Sequence, residues 1–588
     1  MGEFNLQNEE KDKDKNENDK KFNLLDKGWI NVITDYKGTI ETVGMRDFFE
    51  NAHEYIALAG DTPTQDFAVM RFLLAVLHTV FSRYDADGNV YDGIKLDKRR
   101  KQINEISGRA AKNYPKALMK TWKDLWNKGK FPDIVNKYLK DWKDRFNLFD
   151  DKYPFYQVTE DIIKKVNEEF SNVNSQKSMI PLKLMNRTIS ESMNKEAIFS
   201  PRNKESKNIL TNPELVRWLI TYQGVSNASD KTKINKENGK SIGWIYELGG
   251  VYLSTDNLFK TLLLNLMLNH TDTQYNNIQK PCWEFEQDEI YNKYYNNDMI
   301  DNIAELYTNW SRLMYYFKYT GNESNYKELK DKYVFRIVKT SPIDEKDYFL
   351  EPMTIWGKSK GKMVPKKHEQ NKSAWRSFGL ILNKVERQDT RLPSIIENLS
   401  AAQSIEEKND LIQINAVSAI YKNKDSQSRT LIDEYYDFFN LELFVATDIL
   451  NQGWVERINE IVEETKSFID NKYKKFIKVF VRLEGVDDKN EQDRIDRYLE
   501  TLYYKIDKPF RDWLSSLKIN DNKEEKLQKW LDILKNITLD EANALSKNLS
   551  NKFYIGIKDN INNKSYYKNI ATALNDLMIN INELQRRQ

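Results

Sequence analysis

Few residue patterns in the sequence have the types and spacing that catalysis requires. Residues 239–241 read Gly-Lys-Ser, as in a phosphate-binding loop, but Ile234 occupies the position of that loop's leading glycine. The chain has no HExxH, GxSxG or CxxC motif, which are the patterns of zinc peptidases, serine hydrolases and thiol sites. These absences favour a binding protein over an enzyme.

Metal ligands are equally sparse. The four histidines, at positions 53, 78, 270 and 368, are scattered, and Cys282 is the single cysteine. One cysteine excludes an intramolecular disulfide and a cysteine-rich zinc site, and it fits a reducing compartment. The acidic pairs at 150–151 and 487–488 lie in turn-like sequence, where solvated carboxylates are usual. We therefore expect no metal site and no cofactor.

The charges of the chain are balanced, with 91 Lys and Arg against 89 Asp and Glu, a formal net charge of +2 over 588 residues. Any nucleic-acid surface must therefore be local. A hydrophobic fraction of 40% and a mean hydropathy of −0.74 indicate a soluble globular chain, of roughly two to four domains. We find no run of about 18 apolar residues and no signal peptide, so we expect a cytoplasmic protein without a membrane partner.

The elements that would position a binding site begin near Phe22. Residues 1–20 are charged and amide-rich, which predicts a disordered tail. Two extended segments around a turn at residues 37–38 then predict a hairpin. Trp29 and Ile30 are expected to pack into an N-terminal domain beside it.

A buried helix is predicted from Thr62 to Phe81. Thr62 suits the N-cap, Pro63 suits the first helical position, and Gln65 completes the spacing of a capping box. Apolar residues recur at helical spacing, at positions 67, 70, 73, 74, 77 and 81. His78 lies within this helix, where packing explains it better than metal binding.

Three tryptophans, Trp122, Trp126 and Trp142, stand among basic residues between positions 98 and 149. Aromatic side chains beside positive charges can stack nucleic-acid bases. Core tryptophans on amphipathic helices with solvated Lys and Arg produce the same pattern, and we favour that interpretation.

Residues 186–243 are polar, rich in Asn, Ser and Lys, and interrupted by a short helix predicted near residues 213–222. Long polar loops within a helical domain are usually functional or disordered. We expect part of this region to be functional.

The last section of the chain is dominated by helical patterns, at residues 453–483, 490–518, 523–553 and 562–586. Thr538 and Glu541 have the spacing of a capping box inside the third segment. Helices of this length with short connections predict an antiparallel four-helix bundle.

Seven motifs follow one another along the chain: FNLLDKGWINV from Phe22, ALAGDTP from Ala57, FNLFDDKYPFYQ from Phe146, GGVYLSTDNLFKTLLLNLML from Gly249, PCWE from Pro281, LKDKYVF from Leu329 and NQGWVERINEIV from Asn451. In this order they resemble the CasA family, the large subunit of the type I-E CRISPR Cascade surveillance complex. The resemblance covers essentially all of the chain after residue 21.

The resemblance implies an α+β fold, with a large, mostly helical N-terminal domain with small sheets at residues 21–445 and the four-helix bundle at residues 446–588. It also implies a non-catalytic subunit of an RNA-guided complex. Such a subunit recognises the protospacer-adjacent motif in double-stranded DNA, starts duplex opening and R-loop formation, and recruits a helicase-nuclease. The implied partners are guide RNA, the other Cascade subunits, target DNA and the helicase-nuclease.

The lysine finger of the family lies in a segment similar to LKDKYVF, which places it at Lys332. An ammonium group in the minor groove meets only the difference between A·T and G·C pairs, so it would read the motif permissively. An ordinary solvated lysine is the alternative, since Lys332 is one of 91 basic residues.

The wedge glutamine of the family is assigned to Gln427, flanked by Ser426 and Ser428, in a turn between two segments. A side chain pushed between base steps costs unstacking energy, which contacts to the opened DNA must offset. A plain loop glutamine is the alternative.

The glycine loop of the family corresponds to QGVSNASDKTK, which keeps only Gly224 where relatives have several glycines. Close approach of a backbone to DNA requires the missing Cβ, so this chain departs from the family pattern. Gly224, Ser226 and Asn227 are the resulting candidates for the minor groove. Lys231 is expected to contact phosphates rather than bases.

The segment EAIFSPRNKESKN matches the family's loop that docks onto the 5′ end of the guide RNA and a neighbouring subunit. Phe199 is the expected anchor, with Ser200, Arg202 and Asn203 beside it. An exposed Phe in a polar loop favours an interface, and insertion into its own core is the alternative. Some relatives carry two CxxC pairs suggestive of zinc, and this chain lacks that site.

Two other functions remain open from the sequence. One is a metal-dependent nuclease with an unrecognised site, and the other is a helical scaffold protein without a nucleic-acid role. Cleavage of DNA in Mg²⁺ or Mn²⁺ would identify the first. Steeply salt-dependent binding would count against the second.

Overall fold

The computed structural model describes residues 22–169, 179–189, 200–226, 234, 242–268, 278–321, 329–340, 343, 351–383, 389–396, 399, 411–423, 429–448, 453–561 and 564–584. The chain divides into two compact units. Unit 1 contains residues 1–370, 387–402 and 415–436, and unit 2 contains residues 371–386, 403–414 and 437–588. The predicted single boundary after residue 445 stays a prediction.

Unit 1 combines helices with small antiparallel sheets. Its described helices are α1 Met45–Asn51, α2 Pro63–Phe81, α3 Gly108–Lys128, α4 Ile134–Asp141, α5 Glu160–Glu169, α6 Asn212–Val225, α7 Trp244–Glu247, α8 Leu258–Asn265, α9 Gln287–Asn296 and α10 Ile303–Tyr307. Its described strands are β1 Ile30–Ile33, β2 Ile40–Val43, β3 Ala57–Leu58, β4 Met179–Pro181, β5 Gly249–Ser254, β6 Arg312–Lys318, β7 Tyr333–Lys339, β8 Trp356–Ser359, β9 Lys362–Pro365 and β10 Thr390–Arg391.

The sheets in the described part of unit 1 have the strand orders β2-β1-β3, β4-β7-β6 and β10-β8-β9. A further sheet has the order β12-β11-β5. Its strands β11 Leu411–Asn423 and β12 Arg429–Glu442 contribute residues to both units. The α+β class predicted from the sequence is confirmed.

The N-terminal hairpin is confirmed. Strand β1 pairs antiparallel with β2, with Ile30 opposite Val43. Gly38 has φ +83° in the connecting turn, a conformation that glycine adopts without strain. Trp29 and Ile30 are buried, and the Trp29 indole donates to the Leu24 carbonyl at 3.0 Å.

Helix α2 is the central helix of unit 1 and packs against α6 and α10. The Thr62 hydroxyl accepts from the Gln65 N–H as predicted, whereas the Gln65 side chain accepts from Asp61 at 2.8 Å, one residue before the N-cap. By length and composition α2 is apolar enough to cross a membrane, although polar and charged residues interrupt it and it contains no run of about 18 apolar residues. However, 94% of its most apolar window is buried inside the protein, as in a core helix.

Two buried ion pairs cross the core beside α2. Arg71 lies 2.7 Å from Glu351, and Arg83 lies 2.8 Å from Glu284. Because a buried charge is costly without a partner, each pair must stay intact for the core to form. His78 is packed on the same helix, and burial lowers its pKa to about 3, so the ring is neutral.

The tryptophans of the basic segment belong to the core, as we favoured. Trp122 and Trp142 are buried, and their indoles donate to the carbonyls of Leu263 at 2.8 Å and Arg99 at 2.9 Å. Trp126 stacks on Trp122 with ring centroids 5.5 Å apart.

Unit 2 is mainly helical. Its described elements are α11 Phe378–Ile381, α12 Leu443–Thr447, α13 Trp454–Ser467, a π-helical turn Phe468–Tyr473, α14 Lys474–Glu484, α15 Asp488–Ser515, α16 Lys523–Leu545, α17 Asn551–Ile555, β13 Ile557–Ile561, β14 Lys564–Lys568 and α18 Ile570–Asn582. Helix α14 contacts α15 and α18, and α16 contacts α13 and α15.

Two details of the C-terminal prediction are wrong. The segment 562–586 begins as strand β14, and its helix starts only at Ile570. The capping box at Thr538 and Glu541 does not exist, because α16 continues through both residues: the Thr538 hydroxyl bonds to Leu534 at 2.7 Å, and Glu541 pairs with Lys505. The four-helix bundle stays a prediction, since α17 and the β13–β14 pair lie between α16 and α18.

Candidate nucleic-acid interface

Lys332 lies in the turn that joins β6 to β7. Its N–H donates to the Leu329 carbonyl at 3.0 Å, and its carbonyl accepts from the Tyr319 N–H at 2.9 Å. The side chain is half-buried and has no carboxylate partner in the part of the chain that the structure describes. Lys318 and Lys330 are exposed in the same region. The turn therefore presents positive charge on a fixed backbone.

Aromatic and apolar packing supports this turn. Tyr333, next to Lys332, stacks on Tyr316 with ring centroids 4.9 Å apart and planes 10° from parallel. A small buried cluster also lies in this hairpin and the adjoining strand, formed by Met179, Tyr319, Leu329 and Val334. The packing holds the described residues around Lys332 against strands β4, β6 and β7.

The loop between α6 and α7, residues 226–243, closes on itself at its base. The Gly243 N–H donates to the Ser226 carbonyl at 3.0 Å. A Cβ at Gly243 would lie 2.4 Å from the Gly224 carbonyl oxygen, so only glycine fits this approach. The Ser226 hydroxyl is buried 2.9 Å from that of Ser311. The Ser226 hydroxyl is therefore buried at the base of the loop, and Gly224, beside Gly243, is half-buried; contact of these two residues with DNA stays a prediction.

Ile234 anchors the middle of the 226–243 loop. It is buried, and its N–H donates to the Lys339 carbonyl at 2.9 Å. Lys339 is the last residue of β7, and Lys332 comes directly before its first residue. At about 3.3 Å per residue along a strand, Lys332 and Lys339 are about 23 Å apart. The structure does not bring the Ile234 anchor beside Lys332. Asn227 and Lys231 lie outside the described residues. The described residues on either side of them, Ser226 and Ile234, are held by hydrogen bonds.

Gln427, Ser426 and Ser428 lie outside the described residues, in the connection between β11 and β12. These strands are neighbours in one sheet and are joined by residues 424–428, so they form an antiparallel hairpin. They are 13 and 14 residues long. The connection at 424–428 therefore follows strands on the order of 40 Å long.

Glu434 ties β12 to the start of α2. Its carboxylate accepts from the Thr64 N–H at 3.0 Å and from the Thr64 hydroxyl at 2.7 Å. A carboxylate at a helix N-terminus meets unpaired N–H groups and the positive end of the helix dipole. The middle of strand β12 is thus fixed to the central helix of unit 1.

Arg187 joins strand β12 to the base of the loop. Its guanidinium donates to the Val225 carbonyl, at the end of α6, and lies 3.8 Å from the Glu434 carboxylate. Burial lowers the pKa of Arg187, and the charge of Glu434 opposes that effect. One half-buried side chain therefore contacts both elements that carry predicted DNA-binding residues. We call Arg187 and Glu434 the junction pair.

Asp66 introduces a titrating group near the junction pair. Its carboxylate accepts from the Gly60 N–H at 2.8 Å. Burial raises the pKa of Asp66 to about 7; the Gly60 N–H opposes this, while Asp61 and Glu434 add to it. The charge at the start of α2 therefore changes near neutral pH.

The predicted docking loop is held by internal contacts where the structure describes it. Arg202 pairs with Glu214 at the start of α6. The Ser200 hydroxyl accepts from the Arg202 N–H at 3.3 Å, and the Asn203 side chain accepts from the Ser206 N–H at 2.8 Å. Phe199 lies outside the described residues. The polar residues therefore shape the loop, and Phe199 stays the predicted anchor.

Sequence reasoning missed the junction pair. Arg187 and Glu434 are 247 residues apart in the sequence, and neither belongs to a local motif. Pairing over that distance depends on the tertiary fold, so no periodicity or spacing in the sequence indicates it.

Candidate metal and thiol sites are limited. In the described ranges, no three His, Cys, Asp or Glu side chains are grouped to hold a metal ion. Burial raises the pKa of the Cys282 thiol to about 12, so it is protonated and unreactive near neutral pH.

Comparison with known proteins gives a family match over most of the chain. The sequence profile of the CRISPR-associated protein Cse1 family matches residues 23–540. A curated relative, CRISPR-associated protein CasA/Cse1 of Thermus thermophilus, is 30% identical over 141 residues. That alignment covers 24% of this chain and 21% of the length of the relative.

Solved structures share the fold. Cse1 of Thermobifida fusca superposes with a TM-score of 0.69 at 19% identity, over 96% of both chains. A chain of a structure described as a CRISPR RNA-guided surveillance complex superposes with a TM-score of 0.61 at 14% identity, over 96% of this chain and 99% of that one. At these identities the structural likeness establishes the fold alone.

Proposed function

The chain belongs to the family of the CRISPR-associated protein Cse1, also named CasA, and on this premise we propose that it is the non-catalytic large subunit of a type I-E Cascade complex. It recognises the protospacer-adjacent motif in double-stranded DNA. It then begins duplex opening and R-loop formation, and it recruits the helicase-nuclease. It works in the cytoplasm with guide RNA and the other Cascade subunits, and with no membrane partner.

The junction pair is the observation that carries this proposal. Arg187 contacts Val225, where the 226–243 loop begins, and Glu434, in the strand that follows the 424–428 connection. Phosphate contacts by one element and separation of the strands by the other need a common rigid base. The contacts of Arg187 and Glu434, both half-buried, provide such a base.

Lys332 reads the motif in the minor groove. Its ammonium has no carboxylate partner in the described part of the chain, so no internal ion pair must break before it meets DNA. The minor groove distinguishes A·T from G·C but displays little else. A single lysine on the fixed β6–β7 turn therefore accepts several related motifs.

Gln427, with Ser426 and Ser428, is the wedge beside the motif. Inserting a side chain between base steps costs a few kcal/mol per step. The hairpin of β11 and β12 can deliver this residue with little loss of entropy because Glu434 fixes the middle of β12 to α2. Base pairing with the guide RNA then extends the opening, as in other RNA-guided effectors.

The 226–243 loop contributes phosphate contacts rather than base readout. Lys231 binds phosphate. Asn227, which follows Ser226 near the base of the loop, faces the minor groove. Gly224 and Ser226 hold the loop in place through Gly243 and Ser311. This division agrees with the general separation of positioning contacts from reading contacts.

Phe199 docks the chain on its complex. It inserts at the 5′ end of the guide RNA and the neighbouring subunit, while Ser200, Arg202 and Asn203 maintain the loop around it. The pairing of Arg202 with Glu214 orders the segment that follows Phe199 before the complex forms, which lowers the entropic cost of docking.

The test compares two DNA substrates for the reconstituted complex, an intact duplex and a target already unpaired beside the motif. We expect Lys332→Ala and Gln427→Ala to weaken binding to the intact duplex by at least tenfold and to leave the unpaired target nearly unchanged. Lys358→Ala is the matched control, because Lys358 is exposed and already pairs with Asp389 at 3.4 Å. An equal loss on both substrates would refute the assigned roles.

A further inference from the structure

Helix α3 carries a row of basic side chains along its outer side. Arg109, Lys112, Lys116, Lys120 and Lys123 follow one another at intervals of three or four residues, and all are exposed. This spacing places them on one face of an α-helix. The row is about 21 Å long at about 1.5 Å per residue. We call it the α3 basic face.

The opposite side of α3 fixes the orientation of this face. Tyr114, Leu118, Trp122 and Leu125 are buried there, and the Trp122 indole donates to Leu263 at 2.8 Å. The helix cannot rotate without exposing these side chains to water. The basic residues therefore project into solvent as a fixed array.

The charges on the α3 basic face are largely uncompensated. Arg109, Lys112, Lys116 and Lys123 have no carboxylate partner in the part of the chain that the structure describes. Lys120 lies 3.7 Å from Asp124 but is 80% exposed, so that pair adds little. The helix has six basic residues and one acidic residue, a net charge of +5 against +2 for the whole chain.

This arrangement costs the helix stability. Like charges spaced four residues apart, as at Lys112 and Lys116, destabilise a helix by about 0.2–0.5 kcal/mol per pair. The first turn of α3 contains no acidic residue, although the helix dipole favours negative charge there. Folding of α3 does not account for the row of charges.

Neighbouring basic residues show how the same protein neutralises positive charge where binding is not involved. Arg99 pairs with Asp144, and Arg100 pairs with Asp141. The two arginines before α3 are thus compensated, and four of the five basic residues on its outer face are not.

We propose that the α3 basic face binds the phosphate backbone of double-stranded nucleic acid, as a contact separate from motif reading. This inference rests on the proposed engagement of duplex DNA and names a surface for it. The charges lie about 4.5–6 Å apart along the helix axis. Phosphates recur about every 3.4 Å along each strand of the duplex, so a row about 21 Å long spans about six of them, enough for one phosphate per basic side chain. Such contacts position the duplex and carry no sequence information.

Two other anionic surfaces fit the α3 basic face less well. Membrane-binding helices insert an apolar face into lipid, but the apolar side of α3 is buried in the protein. Single-stranded nucleic acid requires exposed aromatic side chains for stacking. Trp122 is buried, and the half-buried Trp126 has one ring face covered by Trp122, so a duplex with its bases inside is the better partner.

The test measures binding of the purified full-length chain to a labelled DNA duplex over a range of salt concentrations. The variant carries Lys112→Gln, Lys116→Gln, Lys120→Gln and Lys123→Gln. The matched control removes four exposed lysines that pair with carboxylates: Lys137→Gln, Lys143→Gln, Lys164→Gln and Lys358→Gln. Glutamine is a good helix former, so α3 keeps its structure, which circular dichroism and the melting temperature verify.

We expect the slope of log K against log salt to become less steep by about 3–4 in the variant, since each phosphate contact contributes about 0.9. Affinity at low salt falls about tenfold or more, equally for duplexes with and without the motif, and the control variant keeps the wild-type slope. An unchanged slope in the variant, an equal loss in the control, or tighter wild-type binding to single strands or to phosphatidylserine vesicles than to the duplex would overturn the inference.

The outcomes for this inference and for the proposed function are distinguishable. If the α3 variant loses affinity while Lys332→Ala has no effect on motif preference, the inference stands and the assigned motif reading fails. If Lys332→Ala abolishes motif preference while the α3 variant binds as the wild type does, the proposed function stands and the inference fails.

Discussion

The guanidinium of Arg187 donates to the carbonyl of Val225 and lies 3.8 Å from the carboxylate of Glu434. Val225 precedes the 226–243 loop, and Glu434 lies in the strand after the 424–428 connection. A single half-buried side chain thus links two elements that the CasA resemblance assigns to DNA recognition. Neither residue of the pair needs to touch DNA to affect both elements.

We predict that Arg187→Lys slows motif-dependent opening of the duplex by about tenfold. Lysine keeps the charge but cannot contact Val225 and Glu434 in the same fork geometry. Leaving a buried acceptor unsatisfied costs about 1–3 kcal/mol. Opening is followed with a fluorescent base analogue beside the motif. Arg46→Lys is the control, because Arg46 and Asp26 form an exposed pair, and equal opening rates for Arg187→Lys and the wild type would contradict the linkage.

We predict that Gly243→Ala disturbs the base of the 226–243 loop. Its Cβ would lie 2.4 Å from the backbone oxygen of Gly224. Gly357→Ala is the control, because the nearest neighbour of a Cβ at Gly357 is a Lys366 side-chain carbon at 3.8 Å. Trypsin should cleave Gly243→Ala faster after Lys231, and Gly357→Ala should behave as the wild type does. Equal cleavage rates for the two variants would show that this close approach is not required.

The pKa of Asp66 predicts a dependence of stability on pH. Burial raises the pKa of Asp66 to about 7 from 3.8. Between these values the unfolded chain has lost the proton and the folded chain retains it, so the contribution of Asp66 to stability falls as pH rises and levels off above about pH 7.

Asp66→Asn removes this titration and keeps an oxygen that accepts from Gly60. The free energy of unfolding of the variant relative to the wild type should rise from pH 4 to pH 8 by up to about 4 kcal/mol, at about 1.4 kcal/mol per pKa unit. The melting temperatures of the two proteins at each pH follow this change. His78, whose pKa burial lowers to about 3, acts in the opposite direction but equally in both proteins. A difference that does not change with pH would contradict the raised pKa.

The buried ion pair between Arg71 and Glu351 predicts a large stability effect. Glu351→Gln leaves the Arg71 charge uncompensated in the core, where both side chains are almost fully buried. We expect a loss of about 3–5 kcal/mol, measured by denaturant unfolding. Asp26→Asn, which breaks the exposed pair with Arg46, should cost less than about 1 kcal/mol. Similar losses in both variants would be inconsistent with burial as the cause.

The local parts of the fold could be predicted from the sequence. The hairpin of β1 and β2 follows from its turn residues, and the start of α2 follows from Thr62 and Pro63. These features depend on neighbouring residues, which a sequence displays directly. The core position of Trp122 follows in the same way from helical periodicity.

Other features depended on tertiary contacts. Thr538 and Glu541 have the spacing of a capping box but lie inside α16, because Thr538 bonds to Leu534 and Glu541 pairs with Lys505. Ser226 is polar and lies in a polar segment, yet its hydroxyl is buried against Ser311. Glu541 and Ser226 thus have distant partners that their local sequence does not indicate, whereas Thr538 bonds within its own helix.

The most direct test of the proposed function measures unpairing of the first base pair beside the motif, using a fluorescent base analogue in an intact duplex. The complex assembled with guide RNA should open this pair beside the correct motif. Omission of this chain, or its replacement by the Gln427→Ala variant, should reduce the opening rate at least tenfold. Opening at the same rate without the chain would contradict the proposal that this subunit starts R-loop formation.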